Sequence, residues 1–203
     1  NIPDYDALHI FSASYFSFLI APTPAVLIGR YFKKNVILNY HSGEAEDHLM
    51  RSETTVKRVL KCVDKVVVPS LYLQQIFSKF GIDSEVIYNV LDEEKFPFIK
   101  REVFKPDFIV TRNLEPMYNV ACVIKAFRLI QDKYPEARLT VIGSGSQDQS
   151  LKSLSYNLKL RNVTFTGMVV RDSITRYYRE YDFMLNASRI DNLPISILEA
   201  FSS

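Results

Sequence analysis

Val63-Asp-Lys-Val-Val-Val-Pro-Ser-Leu-Tyr-Leu-Gln-Gln-Ile-Phe-Ser-Lys-Phe-Gly81 reads as one strand followed by one helix. Val66, Val67 and Val68 form an unbroken apolar centre, the pattern of a strand buried on both faces. Ser70 is placed to cap the helix, whose apolar residues Leu73, Ile76, Phe77 and Phe80 fall at i, i+3, i+4 and i+7. Gly81 is the stop, since a left-handed residue after the last turn costs glycine nothing. A strand followed by a crossover helix implies a parallel neighbour, so the stretch predicts an α/β fold.

The same alternation extends in both directions. Upstream, residues 6–11 predict a strand, 13–20 a helix, and a second helix follows with Thr23 as cap and Pro24 as its first residue. Residues 35–40 predict the next strand, and 85–88 another beyond Gly81. The segment 98–106 lacks periodicity and carries Lys100, Arg101, Glu102 and Lys105, the composition of a linker. Beyond it the pattern restarts. Strands are predicted at 108–111, 138–142, 163–166 and 183–186. Between them lie helices from Asn119, with Val120, Val123, Ile124, Phe127 and Ile130 on one face, over 151–160, and from near Asp172, with Ile174, Tyr177 and Tyr178. Two such runs predict two doubly wound, Rossmann-like parallel-sheet units, 1–97 and 107–203, joined by the linker 98–106.

With 47% hydrophobic residues in 203, the chain has enough apolar material for a sizeable core. Its 25 basic and 23 acidic residues are too balanced to attract nucleic acid. Cys62 and Cys122 fall in predicted helices and read as reduced core thiols of a cytosolic protein. The three histidines and two cysteines lack zinc-ligand spacing, and no nucleophile-elbow sequence occurs. The apolar run 10–28 nearly matches a membrane span, but Pro22, Pro24, Ser12, Ser14 and Ser17 interrupt it. The chain opens at Asn1 without an initiator methionine and stops inside a predicted helix, as a piece of a longer protein does. Apolar faces such as that of Val120, Val123 and Phe127 are then expected to lose part of their cover.

Chemistry is expected at strand ends and at the last helix. In residues 188–203, Ser188 is followed by Asp191, Asn192 and Leu193, and Pro194 suits the first helical position. The free amides of that turn suit an anion, and Glu199, acceptor-only when ionised, suits a pair of sugar hydroxyls. The plain alternative is a capped helix with a solvated Asp191 and a surface Glu199. Gly143-Ser144-Gly145 ends a strand and lets backbone amides approach a nucleotide, or is simply a turn; it lacks the third glycine of the dinucleotide fingerprint. Arg112, at another strand end, offers a planar fork to a diphosphate, or pairs with Glu115. His41 stands at a strand's carboxyl end, where open α/β sheets bind ligands; His9 is close to the preceding strand's end, and His48 lies in a polar, acid-rich segment.

In chain order, His41, residues 64–70, Tyr88-Asn89-Val90-Leu91-Asp92 before Phe96, Arg112 near Glu115-Pro116, Gly143-Ser144-Gly145, Phe165-Thr166-Gly167, and the acids Asp191 and Glu199 resemble the landmarks of glycosyltransferase family 4. These are retaining enzymes that use nucleotide sugars. The resemblance covers nearly the whole chain and implies a GT-B fold with two units facing across a cleft. It makes 1–97 the later part of the acceptor-side domain and 107–203 most of the donor domain, with the first Gly-rich βα unit and the end of the second domain outside the chain.

It also implies metal-independent transfer of a sugar from a nucleoside diphosphate (UDP, GDP or ADP) to a hydroxyl of a glycan, lipid or small molecule, with no permanently bound cofactor. The acceptor would attack on the face the leaving group departs from, and the phosphate would take its proton. By resemblance His41 approaches donor sugar and phosphate, Arg112 holds the leaving diphosphate, Asp191 the transferred sugar and Glu199 the ribose. Gly143, Gly145, Gly167, Ser188, Asn192 and Leu193 line the donor. Two positions depart from the family. Asp191 stands where Glu is usual, and Tyr118 where a Lys follows the Arg by six residues. These departures keep two other readings open, a nucleotide-sugar or glycan-binding module without turnover and a sugar-nucleotide epimerase. The expected location is the cytoplasm or the inner face of a membrane.

Overall fold

The computed structural model describes residues 4–203, so residues 1–3 of the expected first unit lie outside the described residues. Contacts divide the chain into two units, Asn1–Val90 with Asp191–Leu193, and Leu91–Ile190 with Pro194–Ser203. The first contains β1 (Ala7–Ser12), α1 (Tyr15–Ile20), α2 (Pro22–Tyr31), β2 (Asn35–Tyr40), α3 (Ala45–Leu60), β3 (Lys65–Val68), α4 (Leu71–Lys79) and β4 (Glu85–Val86). Its sheet is parallel in the order β1-β2-β3-β4, with Ser12 opposite Tyr40 and Val68 opposite Val86. Val36, Leu38 and Tyr40 alternate onto one face and join Val66, Val68, Phe18, Val26, Leu49, Leu73, Ile76 and Phe77 in a closed core. The deciding stretch folds as its pattern demands: Ser70 Oγ accepts from Leu73 N at 3.3 Å, and Gly81 has φ +67°.

Two local expectations are corrected in this unit. Thr23 is not a cap: α2 begins at Pro22, both prolines sit in the first turn where a missing N–H costs nothing, and Thr23 Oγ1 donates to Phe18 O at 2.8 Å. His48, in its polar, acid-rich segment, is only 1% exposed, because Ala45, His48 and Leu49 form the inward stripe of α3. Cys62 is half-buried, and in the second unit Cys122 is exposed on α5, so neither is a core thiol.

The second unit contains β5 (Asp107–Thr111), a short 3-10 turn Pro116–Tyr118, α5 (Val120–Lys133), β6 (Arg138–Ile142), α6 (Asp148–Asn157), β7 (Val163–Gly167), α7 (Arg171–Glu180), β8 (Phe183–Met184) and α8 (Ile195–Ser202). Its parallel sheet runs β7-β6-β5-β8. From β5 the chain winds outward through β6 and β7, then returns to the far side of β5 as β8. The reversal falls between β5 and β8, and open α/β sheets take ligands in the crevice outside the carboxyl ends of the strands at such a point. In the first unit the described strands run one way, so the reversal belongs to the second sheet.

Val110, Leu114, Val120, Val123, Ile124, Phe127, Leu139, Val141 and Leu151 make a separate core. Val120, Val123 and Phe127 are at most 4% exposed, which overturns the expectation that this face lacks cover. α6 lies three residues earlier than its apolar pattern suggested, with Asp148 favourable in the first turn. Asn119 precedes α5 in the left-handed region (φ 51°) and does not cap through its side chain; its Nδ2 donates to Ala187 O at 3.2 Å instead. Pro194 is the N-cap of α8 rather than its first residue. Among the described residues no helix is long and apolar enough to cross a membrane.

Candidate functional site

The crevice of the second sheet is assembled from strand ends. Arg112 follows β5, and its backbone N donates to Ile142 O at 3.1 Å, which ties it to the end of β6. Its side chain reaches to the opposite side: Nε donates to Asn186 Oδ1, beyond β8, at 3.3 Å. Asn186 Oδ1 also accepts from Ser188 Oγ at 2.7 Å, so Ser188 and Arg112 share one amide oxygen. The guanidinium lies over the ring of Tyr118, 5.3 Å from its centroid. Such stacking leaves the fork charged and oriented.

The alternative pairing of Arg112 with Glu115 is not how that acid is used. Glu115 accepts from Ser146 N at 2.8 Å and Ser146 Oγ at 2.5 Å, and the hydroxyl and then the amide lower its pKa. The glycines are required by the approach of the two loops. A Cβ on Gly143 (φ +140°) would stand 1.9 Å from Arg112 O, and one on Gly145 would stand 2.6 Å from Leu114 O. Leu114 N donates to Ser144 O at 2.9 Å and Gly143 N to Gly167 O at 2.9 Å, so three strand ends are laced together. Gly167 has open space around it and needs glycine for its φ of +72° alone.

Glu199 is inside rather than on the surface, at 8% exposed. Its Oε2 accepts from the hydroxyl of Tyr178 on α7 at 3.0 Å, and that hydroxyl is 3.0 Å from Thr111 Oγ1, one residue before Arg112. Burial, opposed by the Thr111 bond and reinforced by the Glu199 charge, raises the Tyr178 pKa far above the ordinary range. Tyr178 therefore stays protonated and donates to the carboxylate.

His41 follows β2, its backbone N donating to Ser12 O at 3.0 Å. Its ring lies 5.7 Å from that of Phe11, which is 4.7 Å from His9. Desolvation first, and the His9 charge second, hold the His41 pKa below 6.5. Asp191, Asn192 and Leu193 group with this first unit. Asn192 N donates to Asp191 Oδ1 at 3.0 Å, Leu193 N to Asn192 Oδ1 at 2.5 Å, and Asn89 Nδ2 to Leu193 O at 2.8 Å. A Cβ on Gly43, two residues after His41, would meet the Asp191 backbone at 3.0 Å. The sequence-predicted residues thus form two groups: Arg112, Gly143, Gly145, Gly167, Ser188 and Glu199 in the second unit, and His41 with Asp191, Asn192 and Leu193 in the first. Among the described residues no group of three or more His, Cys, Asp or Glu could hold a metal ion.

The family model described as glycosyl transferases group 1 matches residues 92–203, more than half of the chain. The chain belongs to this family. An uncharacterized glycosyltransferase of Methanocaldococcus jannaschii is 22% identical over 88% of this chain and 50% of its own length. The sulfoquinovosyl transferase of Arabidopsis thaliana is 30% identical over 39% of this chain and 15% of its own. The Anabaena protein HepE, solved in complex with UDP and glucose, superposes with a TM-score of 0.76 at 16% identity, covering 98% of this chain and 57% of that one. The chain spans half or less of the length of the curated relatives it matches. Its fold is α/β with parallel sheets, and its structural neighbours are GT-B glycosyltransferases.

Within a group 1 glycosyltransferase the crevice contains residues that sequence reasoning missed. Asn186 gave one signal, a polar side chain at a strand's carboxyl end. Tyr178 gave none, since a tyrosine on the inner stripe of an amphipathic helix reads as core. Tyr118 was noticed only as a missing lysine, and its stacking on Arg112 depends on a turn that periodicity does not reveal.

Proposed function

We propose that this group 1 glycosyltransferase is a retaining, metal-independent enzyme of family 4 type, moving a sugar from a nucleoside diphosphate to an acceptor hydroxyl. The observation that carries the reading is the β7-β6-β5-β8 order, which brings the Arg112 guanidinium, Ser188 and the Gly143–Gly145 loop to one crevice. In this reading 1–97 serves the acceptor and 107–203 the donor, with 98–106 between. Departure of the nucleoside diphosphate builds negative charge on its terminal phosphate. The Arg112 fork and the first amides of α8, which have no intrahelical partner, meet that charge. Tyr118 holds the guanidinium in place where the family brings a second cation. His41, neutral at pH 7, hydrogen-bonds the donor sugar or phosphate without adding charge, and the phosphate takes the acceptor's proton. Asp191, with Asn192 and Leu193, contacts the transferred sugar, and Glu199 accepts ribose hydroxyls. That the neighbour HepE binds UDP and glucose supports a nucleotide-sugar donor. The acceptor is a glycan or lipid, reached from the cytoplasm or the inner face of a membrane.

The second reading, a binding module without turnover, is favoured by the two departures, Tyr118 in place of a lysine and Asp191 in place of a glutamate. The intact protein, given UDP-, GDP- and ADP-sugars with cell extract as acceptor, is expected to release one nucleoside diphosphate. Binding of a donor with no release overturns transfer in favour of the module. Glu199→Gln removes charge-assisted bonds worth roughly 1.5–3 kcal/mol each, so donor affinity falls at least about tenfold. Asp191→Asn is expected to weaken the nucleotide sugar and leave the free nucleoside diphosphate almost unaffected. Calorimetric titration of both variants with both ligands checks the pair.

A further inference from the structure

Arg101, in the segment between the two βα runs, directs most of its donors to residues in or just beyond α7 and α8, the helices that carry Tyr178 and Glu199. Nε pairs with Asp182 Oδ1 at 2.9 Å, and both side chains are largely buried. Nη2 donates to Tyr178 O at 2.7 Å and Tyr181 O at 3.2 Å, carbonyls at the end of α7 that have no intrahelical partner. Nη1 donates to Ser203 O at 3.2 Å, and to Ile99 O at 3.4 Å. Ser203 Oγ in turn donates to Glu199 O at 2.8 Å. The surrounding segment is strapped to the same elements: Ile99 N donates to Ser203 O at 3.1 Å, Ser202 Oγ to Phe96 O at 2.9 Å, and Lys105 N to Asp182 Oδ2 at 2.7 Å.

We propose that Arg101 is a positioning residue for Glu199, resting on the reading of Glu199 as the ribose acceptor. One guanidinium fixes the backbone of Tyr178, whose hydroxyl occupies Glu199 Oε2, and the carbonyl of Ser203, whose hydroxyl holds the Glu199 backbone. Both ends of the Tyr178–Glu199 bond are thereby referred to one rigid fork. Its charge suits the negative end of α7, and no ammonium can serve acceptors spread around a plane in this way. With the carboxylate turned by Tyr178, its second oxygen is set in one direction for the nucleotide.

The test is a set of double-mutant cycles in the intact protein, titrated with UDP, GDP and ADP in turn and followed with the diphosphate that binds. Arg101→Gln and Tyr178→Phe should each weaken the Kd by about fivefold or more, and the double variant should be no weaker than the worse single one. In a Glu199→Gln background Arg101→Gln should change nothing further. An effect on general stability would instead add its full factor in that background, and this overturns the proposal. So does an unchanged Kd in folded Arg101→Gln when Glu199→Gln is weakened. An unchanged Kd in Glu199→Gln overturns the ribose reading itself, and the proposal with it. If Arg101→Gln does not fold, Arg101→Lys, which keeps the charge at the helix end but not the fork, is read in the same cycles.

Discussion

Gly143 and Gly167 were singled out by one kind of reading, yet the structure gives them different duties. A methyl on Gly143 collides with Arg112 O at 1.9 Å and also meets an unfavourable φ, whereas one on Gly167 meets only the φ. Gly143→Ala is expected to cost about 3 kcal/mol or more, and Gly167→Ala about 1 kcal/mol. Guanidinium unfolding of both variants decides this; equal losses would mean that the loop after β6 yields where its close packing says it should not. Arg112 was legible from its place at a strand end. Its partners were not, because Asn186 lies 74 residues away and is brought to it only by the return of the chain to β8. Glu199 was legible as an acid in the last helix, but its burial was not, since that depends on Tyr178 of a different helix.

At the level of elements, α3 offers a pH-dependent device. His48 Nδ1 is 2.8 Å from Tyr40 Oη, which is 2.7 Å from Ser14 Oγ, and burial pushes the Tyr40 pKa up to about 12. Burial, partly offset by Asp47, holds the His48 pKa below 6.5. The unfolded chain therefore binds a proton at His48 sooner than the folded one, so its contribution is complete above pH 6.5 and is lost as pH falls toward the folded value. The slope is at most about 1.4 kcal/mol per pH unit for one proton. His48→Gln should flatten the fall of unfolding free energy below pH 6.5 relative to the unmodified protein, a difference that leaves out the similar contribution of His41. A parallel decline in both would assign the proton elsewhere. The stripe Ala45, His48, Leu49, Val56, Val59 and Leu60 was available in the sequence and all six are buried, but the kink at Ser52, with φ −133° and ψ 25°, was not, since nothing in the spacing marks it.

In the molecule as a whole, the described residues form two hydrophobic cores, one centred on β2 and the other on β6. Leu38→Ala and Leu139→Ala each remove a fully buried side chain and are expected to cost about 2–5 kcal/mol. Hydrogen exchange should find lost protection at residues 36–40 in the first variant and at 139–142 in the second, without crossover; loss in both places would indicate one cooperative unit. The two runs of strands and helices were legible because periods of two and 3.6 are local. The strand order was not, for right-handed crossovers permit winding in either direction from β5, and the pattern of β8 does not say on which side it lies. The crevice at that reversal also lends itself to optical study. The chain has 12 tyrosines and no tryptophan. Tyr118→Trp would put the best cation-binding ring beneath Arg112. It would also be the sole indole, so its emission would register the guanidinium turning from the ring toward an arriving anion.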